Sequence, residues 1–207
     1  IHDRDRHQMS ARSALRALKR AVYRAIGYDD RNWLRVRQIE AFERFIASSD
    51  IKRAVEISPG WSARWSDLLA GRYEALHFPE FDICKDRRDA RADLVIADQV
   101  LEHVPRPLDA LRNIHAMLEP GGHALIATPF LFRVHARPFD FSRWTKDGLA
   151  ELLVEAGFDR DDVQTFAWGN KACVKAHLGG PVRDYGLWRD MRNDPEYPIM
   201  VWAIARR

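Results

Sequence analysis

Cysteine is almost absent from this chain of 207 residues, which carries only Cys84 and Cys173. The two lie far apart and in no metal-ligand spacing. That excludes a disulfide-stapled scaffold and a structural zinc site, and fits a reducing, cytoplasmic setting. No apolar run approaches the roughly 20 residues of a membrane span. The polar, charged first residues do not read as a signal peptide. Because the chain opens on Ile1 rather than Met, some native residues are expected to precede it. An excess of one charge is missing too. Against 33 basic residues stand 30 acidic ones, a net charge of +3, so a nucleic-acid partner is not expected. Internal repeats and low-complexity tracts are lacking as well. A chain of this length suits one α/β domain with a short extension.

What is present concentrates between Ala92 and Phe130. Leu94, Val95, Ile96 and Ala97 form the short apolar run of a strand buried on both faces. Leu108, Leu111, Ile114 and Leu118 then recur at helical spacing and predict one face packed on that sheet. Gly121 and Gly122 are expected to stop the helix, and Ala124 to Ala127 to begin the next strand. This is a βαβ unit, so the strands run parallel with a right-handed crossover.

Elsewhere the pattern predicts a helix over Ser10–Ile26 with a basic face, read as packed and solvated rather than as a membrane or nucleic-acid surface. Gly27 ends it, and Asp29 or Asp30 caps a second helix running to about Ala47. Strands are expected at Ala54–Ile57, Tyr73–His77, Val163–Trp168 and Pro198–Ala205. Phe81–Ile83 reads as a short third strand or a continuation of the second. Helices are expected after Ser62 through Leu69, and from Thr145 to Ala156. Residues 176–197 read as an irregular insertion.

The run VLEHV with LEPGG and TPF, followed by His135-Ala-Arg-Pro138-Phe-Asp140-Phe-Ser-Arg143-Trp144-Thr145, resembles class I S-adenosylmethionine (SAM)-dependent methyltransferases of the small-molecule type. The likeness spans roughly Val55 to Phe158. It implies a Rossmann-like, doubly wound and mostly parallel sheet with an antiparallel last strand, plus N-terminal helices. Fewer than forty residues separate Glu56 from Asp93, so one sheet edge is expected to be shortened. Residues 1–50 would form a helical extension or lid over the cofactor pocket, and residues 51–207 the core.

The loop Glu56-Ile-Ser58-Pro-Gly60-Trp-Ser62 occupies the position after the first strand where open parallel sheets bind ligands. By resemblance three glycines are expected there, and only Gly60 matches. That leaves little room for a dinucleotide pyrophosphate and argues against NAD. The resemblance places SAM on Glu56, Ser58, Gly60 and Ser62. It places His77 where relatives carry a ribose-binding Asp, with Glu80 or Asp82 able to take over. Asp98 and Gln99 lie beside the adenosine and the methyl group. Glu102 and His103 are read as shaping their turn.

Methyl transfer from a sulfonium is an in-line displacement that needs positioning and, for some acceptors, proton removal. His135 is the expected base, oriented by Asp140, and no metal is expected. Arg143, Trp144 and Trp168 are candidates to bind the acceptor, a small molecule of natural-product or glycan metabolism. The alternatives are a catalytically silent SAM-binding partner and an RNA methyltransferase. No feature fixes an oligomeric state.

Overall fold

The computed structural model describes residues 32–60, 64–89, 91–180, 182 and 189–207. The first expected helix, Asp29, Asp30, Ser62, Tyr185 and Trp188 lie outside the described residues. Six strands form one sheet: β1 (Ala54–Ile57), β2 (Tyr73–Leu76), β3 (Ala92–Asp98), β4 (Leu118–Pro129), β5 (Val163–Trp168) and β6 (Met200–Arg206). Their spatial order is β2-β1-β3-β4-β6-β5. β1 to β4 run parallel, while β6 is antiparallel to both β4 and β5. The Rossmann-like sheet with an antiparallel last strand is therefore present. β2 is its outer strand, so the edge is shortened as the short Glu56–Asp93 interval requires.

Strand periodicity sorts the core into two layers. Val55, Ile57, Val95, Ala97, Ala124 and Ile126 point one way. There they meet α3 (Pro107–Met117) and α4 (Lys146–Glu155) through residues such as Leu111, Ile114, Leu149 and Leu153. Ala54, Leu94, Ile96, Leu125 and Ala127 point the other way. They meet Trp33, Ile39, Phe42 and Ile46 on and just before α1 (Val36–Ala47), and Trp65 on α2 (Arg64–Leu68). Residues 32–50 thus supply much of one of the two layers that cover the sheet.

Three local details differ from the sequence reading. Leu118 is already extended (φ −81°, ψ 145°), and Pro120 bars a further helical turn, so α3 ends before the glycines. Gly121 instead supplies the positive φ, +83°, of an irregular turn within the first residues of β4, where its register with β3 shifts. That turn is clamped by paired bonds, Gly121 N–H to Arg207 O at 2.7 Å and Arg207 N–H to Gly122 O at 2.9 Å. Phe81–Ile83 is a turn rather than a strand, because the Asp82 carboxylate accepts the Cys84 N–H at 3.0 Å and Phe81 N–H reaches His77 O at 2.8 Å. Lys171–His177 forms a helix, α5, at the start of the expected irregular stretch. Asn170 caps it by accepting the Cys173 N–H at 2.8 Å.

Gly169 sits between β5 and α5 against the segment leading into β6. A Cβ there would run into the Tyr197 carbonyl and the Ile199 amide. Gly169→Ala is therefore expected to cost about 1–3 kcal/mol, because the obstacle is backbone and cannot rotate away. Denaturant unfolding should show the loss as a lower midpoint.

Candidate cofactor and acceptor site

Glu56 and Asp98 share the strand face of Ala54, Leu94 and Ile96, and Glu56 is aligned with Ile96 on the neighbouring strand. Two acidic groups thereby reach the C-terminal ends of adjacent strands on the α1 side of the sheet. Glu56 is 3% exposed. The Tyr73 hydroxyl donates to its Oε2 at 2.6 Å. Burial pushes the Glu56 carboxyl up to about 7, against the lowering effect of that hydrogen bond. The same contact and burial raise the Tyr73 hydroxyl.

The Asp98 side chain is 4% exposed and pairs with the Arg35 guanidinium, which enters from the turn before α1. The Trp65 indole N–H donates to the same Oδ2 at 3.0 Å, while the buried Oδ1 has no hydrogen-bond partner among the described residues. A buried acceptor left in that state attracts a donor or cation, since an unpaired polar atom out of water is costly.

The loops beside these carboxylates carry unusual backbone. Ser58 has φ +46° and Gln99 φ +64°, a region that non-glycine residues occupy at a cost of about 1–3 kcal/mol, typically at functional sites. Each is held in place by the sheet, through Ser58 N–H to Leu76 O at 2.7 Å and Gln99 N–H to Ala127 O at 2.8 Å. A Cβ on Gly60 would meet nothing within 4 Å. Among the described residues, the space beside Gly60 is therefore unfilled. His77 is exposed at the end of β2 and lines a cleft of about 560 Å³ with Glu80, Phe81, Asp86, Arg87 and Arg88. Asp82 is engaged in its own turn. It pairs with Lys85 at 2.8 Å, and that contact first, with the Cys84 amide, holds its carboxyl below the usual range.

A second cluster forms around the segment after β4. His135, Asp140 and Arg143 come together. The Asp140 carboxylate accepts the His135 backbone N–H at 2.8 Å and takes both ends of the Arg143 guanidinium, one of them at 2.6 Å. Arg143 foremost holds the Asp140 carboxyl down at about 2. His135 Nδ1 lies 3.3 Å from Asp140 Oδ2, and its Nε2 faces Glu102 Oε1 at 3.7 Å.

Trp144 packs partly buried against the α3–α4 layer. Trp168 stands apart from this cluster. It is 4% exposed in the α1 layer, and its indole N–H donates to Met191 O at 3.3 Å. Sequence reasoning passed over Arg35, Trp65 and Tyr73, whose roles come from contacts across 63, 33 and 17 positions. No local pattern marks them, apart from the expectation that the N-terminal segment covers this pocket.

A family model described as "Methyltransferase domain" matches residues 11–163. No curated protein matches the chain. Among solved structures, an S-adenosylmethionine-dependent methyltransferase from Mesorhizobium loti is similar at TM-score 0.55 and 15% identity, over 84% of this chain and 100% of its own. A SAM-dependent methyltransferase from Archaeoglobus fulgidus gives TM-score 0.51 and 12% identity, over 84% and 94%. Phosphoethanolamine N-methyltransferase 2 of Haemonchus contortus, determined with S-adenosyl-L-methionine, gives 0.55 and 12%, over 82% of this chain and 52% of its own. At these identities the likeness to each structure is one of fold.

The state of Glu56 has a measurable consequence for stability. A carboxyl raised from 4.5 to about 7 on folding binds its proton more tightly in the native state. Stability is therefore greatest below pH 4.5, erodes as pH rises to about 7, and is flat above. The full effect is roughly 3 kcal/mol at most. Glu56→Gln keeps an acceptor for Tyr73 and removes this slope. Urea unfolding should show it more stable than the parent by about 1–3 kcal/mol at pH 8 and little changed at pH 4.5.

Proposed function

We propose that this chain, which belongs to the methyltransferase domain family, catalyses transfer of a methyl group from SAM to a small-molecule acceptor bound beside His135. The observation that carries the reading is the pair of buried carboxylates, Glu56 and Asp98, on one face of adjacent strand ends, with Asp98 Oδ1 buried and unpartnered among the described residues. The residues present fit SAM. Glu56 and Asp98 suit its cationic amino-acid end, Arg35 its carboxylate, and the loop at Ser58 and Gly60 the chain between. His77 and Glu80, in the cleft at the end of β2, suit the ribose hydroxyls. Gln99 borders the same strand end, and Asp82, held by Lys85, shapes the turn rather than meeting the ligand. When bound, SAM supplies a sulfonium-activated methyl and a thioether leaving group.

The chain's own work is placement and proton removal. Asp140 stays ionised because Arg143 grips it. Its Oδ2 lies 3.3 Å from His135 Nδ1 and stabilises the imidazolium that forms when the ring takes a proton. Nε2 takes the proton from an acceptor hydroxyl or amine as its heavy atom forms the new bond to the methyl carbon. Phe132 packs edge-on to His135 with ring centroids 5.3 Å apart and supplies an apolar wall. Arg143, engaged with Asp140, braces this site. Trp168 bounds a separate cleft of about 440 Å³ with Arg37, Arg44, Phe166 and Trp202. An aromatic, acid-paired site of this kind suits a small organic acceptor better than a polyanion, which needs a row of unpaired cations.

Two variants test the assignment. Asp98→Asn keeps the acceptor for Trp65 but loses the charge. It should weaken S-adenosylhomocysteine binding by about tenfold or more, roughly 1.4 kcal/mol, in calorimetric titration. Unchanged affinity would remove Asp98 from the pocket. His135→Ala should lower turnover by about 10²-fold or more while preserving that affinity, and full activity would end its role as base.

A further inference from the structure

Glu102 lies on the single turn Leu101–His103 that follows β3. Its side chain is fully buried. Oε2 accepts the Thr128 hydroxyl at 3.5 Å, but the buried Oε1 has no hydrogen-bond partner among the described residues. Two imidazoles converge on that oxygen, His103 Nε2 at 3.6 Å and His135 Nε2 at 3.7 Å. These separations are too long for hydrogen bonds. They sit just above the roughly 3.0–3.4 Å edge of a coordination polyhedron whose ligands stand about 2.0–2.1 Å from the metal. The three ligand atoms all fall within 4.8 Å of one another.

The surroundings are arranged as they are behind metal-bound histidines. His103 Nδ1 lies 2.5 Å from the Phe139 carbonyl oxygen, which can only accept. His135 Nδ1 faces Asp140 Oδ2 at 3.3 Å, and that carboxylate is itself fixed by Arg143 and the His135 amide. The Phe139 carbonyl holds the His103 proton on Nδ1 and leaves its Nε2 lone pair facing Glu102, the tautomer that metal ligation requires. Arg143 Nη2 approaches His135 Nδ1 at 3.4 Å, beside the Asp140 carboxylate that the same guanidinium grips. A buried carboxylate oxygen faced by two imidazole nitrogens, with a hydrogen bond to neither, is stabilised when a cation fills the gap.

We propose that Glu102, His103 and His135 form a binding site for a divalent first-row transition-metal ion. Two nitrogens and one oxygen suit Zn²⁺, Co²⁺ or Fe²⁺ better than Mg²⁺ or Ca²⁺, which prefer all-oxygen shells. The histidine side chains are 20% and 22% exposed, so positions remain for solvent or an acceptor oxygen. The site goes beyond the methyl-transfer reading and is measurable without it. Ligation uses the same His135 Nε2 lone pair as proton abstraction, so His135 acts as base only in metal-free protein.

The test is titration of chelator-treated, full-length protein with Co²⁺ followed by visible absorption and with Zn²⁺ followed by calorimetry. The site predicts one equivalent of each, with no cobalt–thiolate band, since Cys84 and Cys173 take no part. His103→Asn, His135→Asn and Glu102→Gln should each weaken binding about tenfold or more. The two histidine variants keep the test decisive if burial makes Glu102→Gln unstable. Absence of saturable binding, equal binding in all variants, or a thiolate band would overturn the proposal. S-adenosylhomocysteine affinity measured on the same samples separates the two readings. Retained affinity without metal binding removes the metal alone, and metal binding without that affinity removes the cofactor assignment alone.

Discussion

The structure turns on the two-residue period of its parallel strands. Because Glu56 shares a face with Ala54, and Asp98 with Leu94 and Ile96, both carboxylates emerge on the α1 side where adjacent strands end. A one-residue shift in either strand would send its acid to the α3–α4 layer and break the pair. Everything on that side follows from this placement. Arg35 reaches down from the segment before α1 to meet Asp98, Trp65 donates to it, and Tyr73 donates to Glu56. The N-terminal segment is thus tied to the sheet by charge as well as by Trp33, Phe42 and Ile46.

Thr128 belongs to the opposite strand face and bonds Glu102, and the segment after β4 brings His135, Asp140 and Arg143 to the same place. The strand ends therefore separate two kinds of chemistry. On one side stand the buried acids Glu56 and Asp98 with Arg35, a charge pattern suited to a zwitterionic ligand. On the other, imidazoles around a buried carboxylate are suited to handling protons or a metal. A methyl donor on the first side and an acceptor on the second would meet across the end of β3, beside the switch-point crevice that the strand order places between β1 and β3.

Much of this architecture was legible in the sequence because its causes are local. The largely apolar run at Ala54–Ile57, the all-apolar run Val95–Ala97 and the periodic face of Leu111 and Ile114 mark β1, β3 and α3 directly. The short interval before Asp93 foretold the shortened edge. What escaped depends on distance or on competition. Phe81–Ile83 has strand-like residues, yet the Asp82 carboxylate captures a nearby amide and turns the chain. Asn170 caps α5, a helix that no expectation covered and that ends just inside the stretch 176–197 read as irregular. The grouping of His135, Asp140 and Arg143 was visible in their spacing. The convergence of His103 and Glu102 on His135 was not, since it joins segments 32 residues or more apart. Arg35 and Tyr73 likewise gain their meaning only from pairing across the fold.

The most direct test of the account is calorimetric titration of the purified chain with S-adenosylhomocysteine, with NADH as the comparison. The geometry of Glu56, Asp98 and the Gly60 loop predicts saturable, one-to-one binding of the homocysteine compound in the micromolar range, about −8 kcal/mol, and none of NADH. Binding of NADH instead, or no binding of S-adenosylhomocysteine by protein shown to be folded, would contradict it.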